Sequence, residues 1–114
     1  MEEWKDVVGY EGILQVSSLG SVRTLDRSVP TIGANQSGTY NVTFIVKGKV
    51  LSQRKKSNGY LEIAIRTIKS RKWFLVHRLV AQAFIDNPHG YNQVNHKDGN
   101  KENNSVENLE WCTA

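Results

Sequence analysis

The clearest pattern of hydrophobic and polar positions runs over residues 60–68. Apolar side chains alternate there with polar or small ones, in the order Leu61, Glu62, Ile63, Ala64, Ile65 and Arg66. A period of two predicts a strand that buries one face and exposes the other. A basic turn at residues 69–72 follows, and the apolar residues 73–76 predict the returning strand of a hairpin.

Shorter apolar runs predict further strands in the first half of the chain. Residues 13–17 and 21–25 form a candidate hairpin, and residues 42–46 form another candidate strand. Residues 26–41 contain Pro30, two glycines and many polar side chains, so we expect a loop there. The first hairpin is expected to dock through an apolar cluster of Trp4, Tyr10, Val16 and Val22.

The hydrophobic period changes at residues 77–85. Apolar side chains recur there at helical spacing, at Leu79, Val80, Ala83 and Phe84. This stripe predicts a helix that packs on the sheet and ends before Pro88 and Gly90. Together the elements predict an α+β domain, with an antiparallel, hairpin-rich sheet and one main helix.

Positively charged side chains lie at the predicted turns and strand ends. The 114-residue chain has a formal net charge of +4, and a basic domain of this size often binds a polyanion. Cations spaced along hairpins can pair with the phosphates of a duplex, although ordinary solvated turns are the alternative. The candidate contacts to double-stranded DNA are Arg23, Arg54, Lys55, Lys56, Arg66, Lys69, Arg71, Lys72 and Lys97.

The composition also indicates the cellular compartment. Cys112 is the single cysteine, which excludes an internal disulfide and favours a reducing environment. No apolar run approaches the roughly 18 to 20 residues that span a membrane, and the acidic N-terminus does not resemble a signal peptide. We therefore expect a cytoplasmic protein without a membrane partner. We also expect a monomer.

The polar stretch at residues 93–111 carries the candidate chemistry. Phosphodiester hydrolysis needs a base that deprotonates water and a divalent cation that stabilises the developing charge. A histidine at the end of a strand can serve as the base, and hard cations prefer carboxylate or amide oxygens. Asn95 and His96 offer both roles in adjacent residues, provided that a bend at the strand end lets both side chains reach one phosphate.

This stretch resembles the HNH, or ββα-metal, motif of phage and intron homing endonucleases. The similarity runs from Val94-Asn95-His96-Lys97-Asp98-Gly99-Asn100 through Glu107-Asn108-Leu109-Glu110-Trp111. By position, the resemblance implies that His96 is the general base and that Asn95 is a ligand of Mg²⁺ or Mn²⁺. It also implies that Asn108 is the catalytic-site asparagine whose side chain holds the loop orienting His96. Asn103 and Asn104 are expected to tie the loop through bonds to the backbone.

The N-terminal residues resemble the NUMOD4 module of the same endonucleases. The similarity lies in Trp4-Lys5-Asp6, Gly9-Tyr10-Glu11-Gly12 and Gln15-Val16-Ser17-Ser18-Leu19-Gly20. It implies three regions: a DNA-contacting module at 1–27, a basic hairpin region at 28–72, and an HNH motif at 73–114. His77 lies in a segment that precedes the active-site stretch of the HNH motif in the family, where scaffolding is its expected role.

One departure from the family pattern shapes the expected activity. Family members carry a last metal ligand on a helix a few residues past the tryptophan, whereas this sequence stops at Ala114. We therefore expect this chain to bind DNA but to cut it poorly. The main alternative is a non-catalytic DNA-binding protein derived from a degenerate or truncated HNH nuclease. A zinc module is disfavoured because the histidines and Cys112 lack paired ligand spacings.

Overall fold

The computed structural model describes residues 2–66 and 71–113, with the backbone alone over 27–32, 42–46 and at residue 66. Within these residues, ten strands in four small antiparallel sheets accompany one α-helix and one 3₁₀ turn. The α+β, hairpin-rich fold class predicted from the sequence is thereby confirmed. No helix of the described part is long and apolar enough to span a membrane.

The first sheet contains β1 (Trp4–Asp6), β2 (Leu14–Ser17) and β3 (Val22–Thr24), with β2 in the centre. β2 and β3 are the predicted hairpin, and their apolar residues are fully buried because they face the core. β1 was not predicted, because its three residues, two of them charged, show no alternation of hydrophobic and polar positions. It forms by pairing with β2 along a register that begins at Trp4 and Ser17.

The loop predicted over residues 26–41 is wrong. That segment belongs to a long two-stranded hairpin, β4 (Arg27–Asn35) and β5 (Gly38–Val46), joined by a tight turn. Pro30 suggested a loop, but a strand in a two-stranded sheet has a free edge, where the missing N–H of proline is tolerated. The strand predicted over 42–46 is confirmed as the end of β5.

The third sheet leads directly into the helix. It consists of β6 (Arg54–Lys55), β7 (Leu61–Arg66) and β8 (Arg71–Leu75), with β7 in the centre. The predicted alternation in β7 is confirmed at Ile63 and Ile65, which are buried, but Glu62 on the face predicted to be exposed is also buried, at 7% exposure. Helix α1 (Val76–Phe84) begins without an intervening loop, so Val76 starts the helix instead of ending the strand as predicted.

The last sheet carries the polar stretch. It pairs β9 (Gln93–His96) with β10 (Leu109–Cys112), and a 3₁₀ turn at Val106–Asn108 leads into β10. The loop between the two strands reverses direction at Gly99, whose φ of +75° is readily adopted only by glycine. Trp111 is half-buried and donates from its indole Nε1 to the backbone oxygen of Ile85 at 3.0 Å, which ties β10 to the end of α1.

A single apolar core joins the first, third and fourth sheets to the helix. Its buried members are Val7, Leu14, Val16, Val22, Ile63, Ile65, Val76, Leu79, Val80, Ala81, Val94 and Leu109. The predicted cluster is correct for Val16 and Val22, and Tyr10 packs at the margin. Trp4 is not part of this core; the guanidinium of Arg23 lies 4.0 Å from its ring centroid and covers it instead.

The turn between β2 and β3 packs directly on the polar loop that precedes β10. Gly20 has φ +93°, and a Cβ placed on it would lie 2.9 Å from the Cβ of Asn104. Two hydrogen bonds hold the same region: Val106 N–H donates to Ser18 O at 2.9 Å, and Gln53 Nε2 donates to Gly20 O at 2.7 Å. The N-terminal sheet therefore supports the C-terminal loop through backbone contacts.

We expect Gly20→Ala to destabilise the fold more than Gly12→Ala. Both glycines have a positive φ, at +93° and +80°, so both substitutions carry a backbone penalty of about 1–2 kcal/mol. A Cβ at position 12 meets no atom within 4 Å, whereas one at position 20 meets Asn104. Overpacking adds about 1–3 kcal/mol at Gly20. Urea unfolding of both variants measures the difference, and equal losses would contradict the contact.

Candidate active site

The two residues predicted to share the chemistry lie on opposite faces of β9. Its residues alternate regularly, with Asn95 exposed and His96 buried at 7% exposure. Within β9, therefore, no bend brings the two side chains to one face, which was the condition for both to reach one phosphate. His96 is the last residue of the strand and faces the protein interior, while Asn95 lies on the outer face beside Glu110.

His96 is held by a short hydrogen bond that the sequence did not reveal. Its Nε2 lies 2.7 Å from Oδ1 of Asn104, which is 3% exposed. An amide oxygen only accepts, so Nε2–H of His96 donates and Nδ1 retains the lone pair. The contact fixes both the orientation of the ring and the nitrogen that can accept a proton. Asn104 therefore bonds to a side chain, and its predicted bond to the backbone is wrong.

Two further aromatic rings pack against His96. The rings of His77 and Tyr60 have centroids 5.1 Å and 5.9 Å from its own. His77 and Tyr60 also stack on each other at 4.9 Å. Helix α1, which supplies His77, and the start of β7, which follows Tyr60, thus bring both rings to the end of β9. The predicted scaffolding position of His77 turns out to be a direct contact with the predicted base.

His77 is electrostatically distinct from an ordinary surface histidine. Burial, followed by the nearby charges of His96 and Arg78, lowers the pKa of His77 from 6.5 to about 4. Its Nδ1 has no hydrogen-bond partner among the described residues. A neutral imidazole therefore lies beside His96 at neutral pH, and it brings no positive charge to the site.

Asn108 organises the loop that follows His96. Its Nδ2 donates to Asp98 Oδ1 and to Asn103 O, both at 2.9 Å, and its Oδ1 accepts from Asp98 N–H at 3.1 Å. Its backbone oxygen also accepts from Lys97 N–H at 2.8 Å. These bonds fix the chain just beyond His96, although the catalytic importance of Asn108 stays a prediction.

Asp98 is the second residue that organises this loop. Hydrogen bonds from the Asn103 side chain, from the Asn100 backbone and from the Asn108 side chain hold the pKa of its carboxyl below the usual value of 3.8. Asn103 therefore bonds to a carboxylate at 2.9 Å and not to the backbone as predicted. The carboxylate stays charged at neutral pH and acts as the common acceptor of the turn.

The loop is also tied to the turn between β6 and β7. Lys101 Nζ donates to Asn58 O at 2.8 Å and lies 4.7 Å from the ring centroid of Tyr60. Lys55 and Glu102 form an ion pair at 3.2 Å. Exposed pairs of this kind contribute little stability, so their main consequence is to position the loop over Tyr60.

Asn95 and Glu110 offer oxygen donors on the outer face. Asn95 Nδ2 donates to Glu110 Oε1 at 2.9 Å, which leaves the amide oxygen of Asn95 and the second carboxylate oxygen for other partners. Oxygen donors of these two types fit a hard divalent cation. Over residues 2–66 and 71–113, no group of three His, Cys, Asp or Glu side chains converges to hold a metal.

The predicted DNA-contacting cations occupy different settings. Arg23 donates to Gln15 at 2.7 and 3.0 Å, so its guanidinium is engaged within the first sheet. Arg54 pairs with Glu62 at 3.6 Å. The exposed cations include Lys55, Arg71, Lys72 and Lys97, while Lys56 is half-buried. Lys69 lies outside the described residues, and only the backbone of Arg66 is described. Their contacts with DNA stay predictions.

The site contains contributors that sequence reasoning missed or undervalued, namely Asn104, Tyr60, His77 and Glu110. Each reaches the Asn95–His96 pair from another strand, helix or turn. Glu110 could have been found from the sequence, because antiparallel pairing of Val94 with Trp111 places Glu110 opposite Asn95. No local pattern identified the other three.

Two family comparisons cover nearly the whole chain. The NUMOD4 motif matches residues 2–66, which is more than half of the sequence. The HNH endonuclease family matches residues 74–114. The chain therefore belongs to the NUMOD4 family, and its C-terminal part matches the HNH endonuclease family, so the resemblance seen in the sequence is confirmed. Members of the HNH family generally use a divalent metal.

Individual relatives agree with this assignment. DNA endonuclease I-HmuI of Bacillus phage SP01 is 39% identical over 97% of this chain and 52% of its own length. The uncharacterized HNH endonuclease L245 of Acanthamoeba polyphaga mimivirus is 48% identical over 57% of this chain and 20% of its own. A solved structure of the HNH homing endonuclease I-HmuI, described as DNA binding and cleavage by that enzyme, superposes with a TM-score of 0.69 at 38% identity. It covers 97% of this chain, and this chain spans 52% of that one.

The buried His77 predicts a specific pH dependence of stability. The unfolded chain protonates this histidine near pH 6.5, whereas the folded protein resists protonation until about pH 4. The unfolded state therefore binds more protons in this window, and the free energy of unfolding falls as the pH drops from 6.5 towards 4. The loss is at most about 3 kcal/mol, at about 1.4 kcal/mol per pKa unit.

His77→Phe, which keeps an aromatic ring beside Tyr60, should flatten this part of the pH profile. His89 provides the matched control, because it is exposed and its ring stacks only on Tyr91 among the described aromatic contacts, at 5.3 Å. His89→Phe should leave the slope of the parent protein unchanged. Urea unfolding at several pH values between 4 and 7 measures both, and an unchanged slope in His77→Phe would contradict the assignment.

Proposed function

We propose that this chain supplies the general base and part of the DNA-contacting surface of an HNH endonuclease that hydrolyses phosphodiester bonds in double-stranded DNA. The observation that carries the proposal is the buried hydrogen bond from His96 Nε2 to Asn104 Oδ1 at 2.7 Å. It leaves Nδ1 as the basic nitrogen, as a general base for a water molecule requires. Family membership and the TM-score of 0.69 to I-HmuI support the same activity.

The proposed step begins with a proton transfer to His96. Nδ1 accepts a proton from water, and the resulting oxygen nucleophile attacks the phosphorus of the scissile phosphate. The bond from phosphorus to the 3′ oxygen then breaks, and the leaving oxygen takes up a proton from solvent. Asn104 and the stacked Tyr60 and His77 restrict the orientation of the imidazole, which lowers the entropic part of the barrier.

A divalent cation, Mg²⁺ or Mn²⁺, would stabilise negative charge on the phosphate oxygens when bound. We propose Asn95 as its ligand, through the amide oxygen that the bond to Glu110 leaves free. Because Asn95 and His96 face opposite sides of β9, a phosphate that meets both must lie across the end of the strand. His96 is the last residue of β9, which fits such a position.

Asn108 would act as a positioning residue in this scheme. It bonds to both ends of the loop between Lys97 and Asn103, so that the chain beyond His96 keeps one course. Lys97, exposed at the start of that loop, is the proposed phosphate contact nearest the base in sequence. One such site in a monomer would cut one strand, so we propose nicking as the product.

Replacement of His96 tests the nuclease directly. In a protein extended by the helix that carries the last metal ligand in the family, His96→Ala should lower the rate of plasmid nicking in Mg²⁺ or Mn²⁺ by about 10²- to 10⁴-fold, the usual contribution of a general base. Its affinity for duplex DNA should stay close to that of the parent. Relaxation of supercoiled plasmid and fluorescence anisotropy measure the two properties. If the unsubstituted extended protein binds DNA without cutting it, the non-catalytic alternative is supported.

Replacement of Asn104 tests how His96 is oriented. Asn104→Ala should slow nicking by about 10- to 100-fold, as loss of an orienting partner usually does. Asn100→Ala is the matched control, because Asn100 Oδ1 accepts from Glu102 N–H, its one donor among the described residues, in the exposed part of the same loop. The control should cut within about twofold of the parent. Equal losses in both variants would show that loop order, and not the bond to His96, limits the rate.

A further inference from the structure

The outer face of the third sheet carries an exposed tryptophan between two arginines. Trp73 is 42% exposed, and the guanidinium carbons of Arg54 and Arg71 lie 5.0 and 5.9 Å from its ring centroid. We call these three side chains the Trp73 surface. None of the contacts described for His96, Asn104 or the polar loop involves it.

The register of the sheet explains why the three side chains meet. Trp73 pairs with Ala64, so the small neighbour leaves one side of the indole uncovered. Arg54 pairs with Glu62, and both lie on this same outer face. The buried carboxylate of Glu62 holds the Arg54 guanidinium at 3.6 Å while the arginine side chain stays 68% exposed. The opposite face belongs to the core through Ile63 and Ile65.

Exposure of so large an apolar ring needs a physical reason. Burying an aromatic side chain contributes more to stability than almost any other, and Trp73 gives up much of this contribution. The two flanking guanidinium groups are complementary in charge to a polyanion, and each can bind a phosphate in a bidentate manner. An apolar ring between cations therefore matches a ligand whose apolar and anionic parts alternate at close range.

We propose that the Trp73 surface is a contact site for duplex DNA, in which the indole packs against deoxyribose and base edges while Arg54 and Arg71 bind the flanking phosphates. This inference rests on the proposed function as a DNA-acting protein and adds to it a contact that is not electrostatic. Contacts of the two kinds respond differently to salt. Phosphate contacts release counterions and weaken as salt rises, whereas apolar packing does not.

The test compares four substitutions by fluorescence anisotropy with a labelled duplex over a range of salt concentrations. Trp73→Ala should weaken binding by about tenfold at every salt concentration, which corresponds to a typical loss of one aromatic contact. Trp73→Phe should recover part of the affinity. Arg54→Gln and Arg71→Gln should each reduce the slope of log affinity against log salt by about 1.

Tyr40→Ala provides the matched control, since Tyr40 is another exposed aromatic residue, at 48%, on β5 of the second sheet, and it is not among the predicted DNA contacts. Its affinity should equal that of the parent. Parental affinity in Trp73→Ala, or a loss confined to low salt like that of an arginine variant, would overturn the proposal. In that case, binding and nicking by the parent protein would still support the proposed function. A parent that binds no duplex DNA would overturn both this inference and the proposed function.

Discussion

The buried contact between His96 and Asn104 constrains most of the structure around it. Asn104 can reach His96 only if the loop before β10 folds inward, and its own Cβ then lies against Gly20 of the first sheet. A side chain at position 20 would occupy the same space. The N-terminal turn, the polar loop and the end of β9 therefore have to be assembled together, and the shared apolar core holds them in that arrangement.

Electrostatics at this site follow from the same packing. A second histidine beside a base would ordinarily compete with it for protons and repel a bound cation. Burial suppresses that competition, because desolvation lowers the pKa of His77 to about 4 and keeps its ring uncharged. The neutral ring of His77 can then pack against the rings of Tyr60 and His96. Charge is kept outside the cluster, at Asp98 in the loop and on the exposed lysines.

The sequence predicted the elements whose signal is local. The alternation around Ile63 and the helical stripe over 77–85 come from side chains that neighbour one another in the chain. The hairpin at 27–46 was missed because Pro30 and the glycines signal a break, while a free sheet edge tolerates them. Asn95, His96 and Asn108 could be named because their motif is contiguous. Asn104 and Tyr60 could not, since their roles arise only from contacts made across the fold.

The contact of Gly20 with Asn104 has a consequence for how such proteins recombine. The NUMOD4 and HNH matches meet between residues 66 and 74, which suggests two cassettes that could be exchanged separately. In this chain the two halves share one buried interior, and a glycine of the first half fits against an asparagine of the second. A hybrid joined at that boundary would need both surfaces to match. A hybrid that brought a larger residue to position 20 would place its side chain against Asn104.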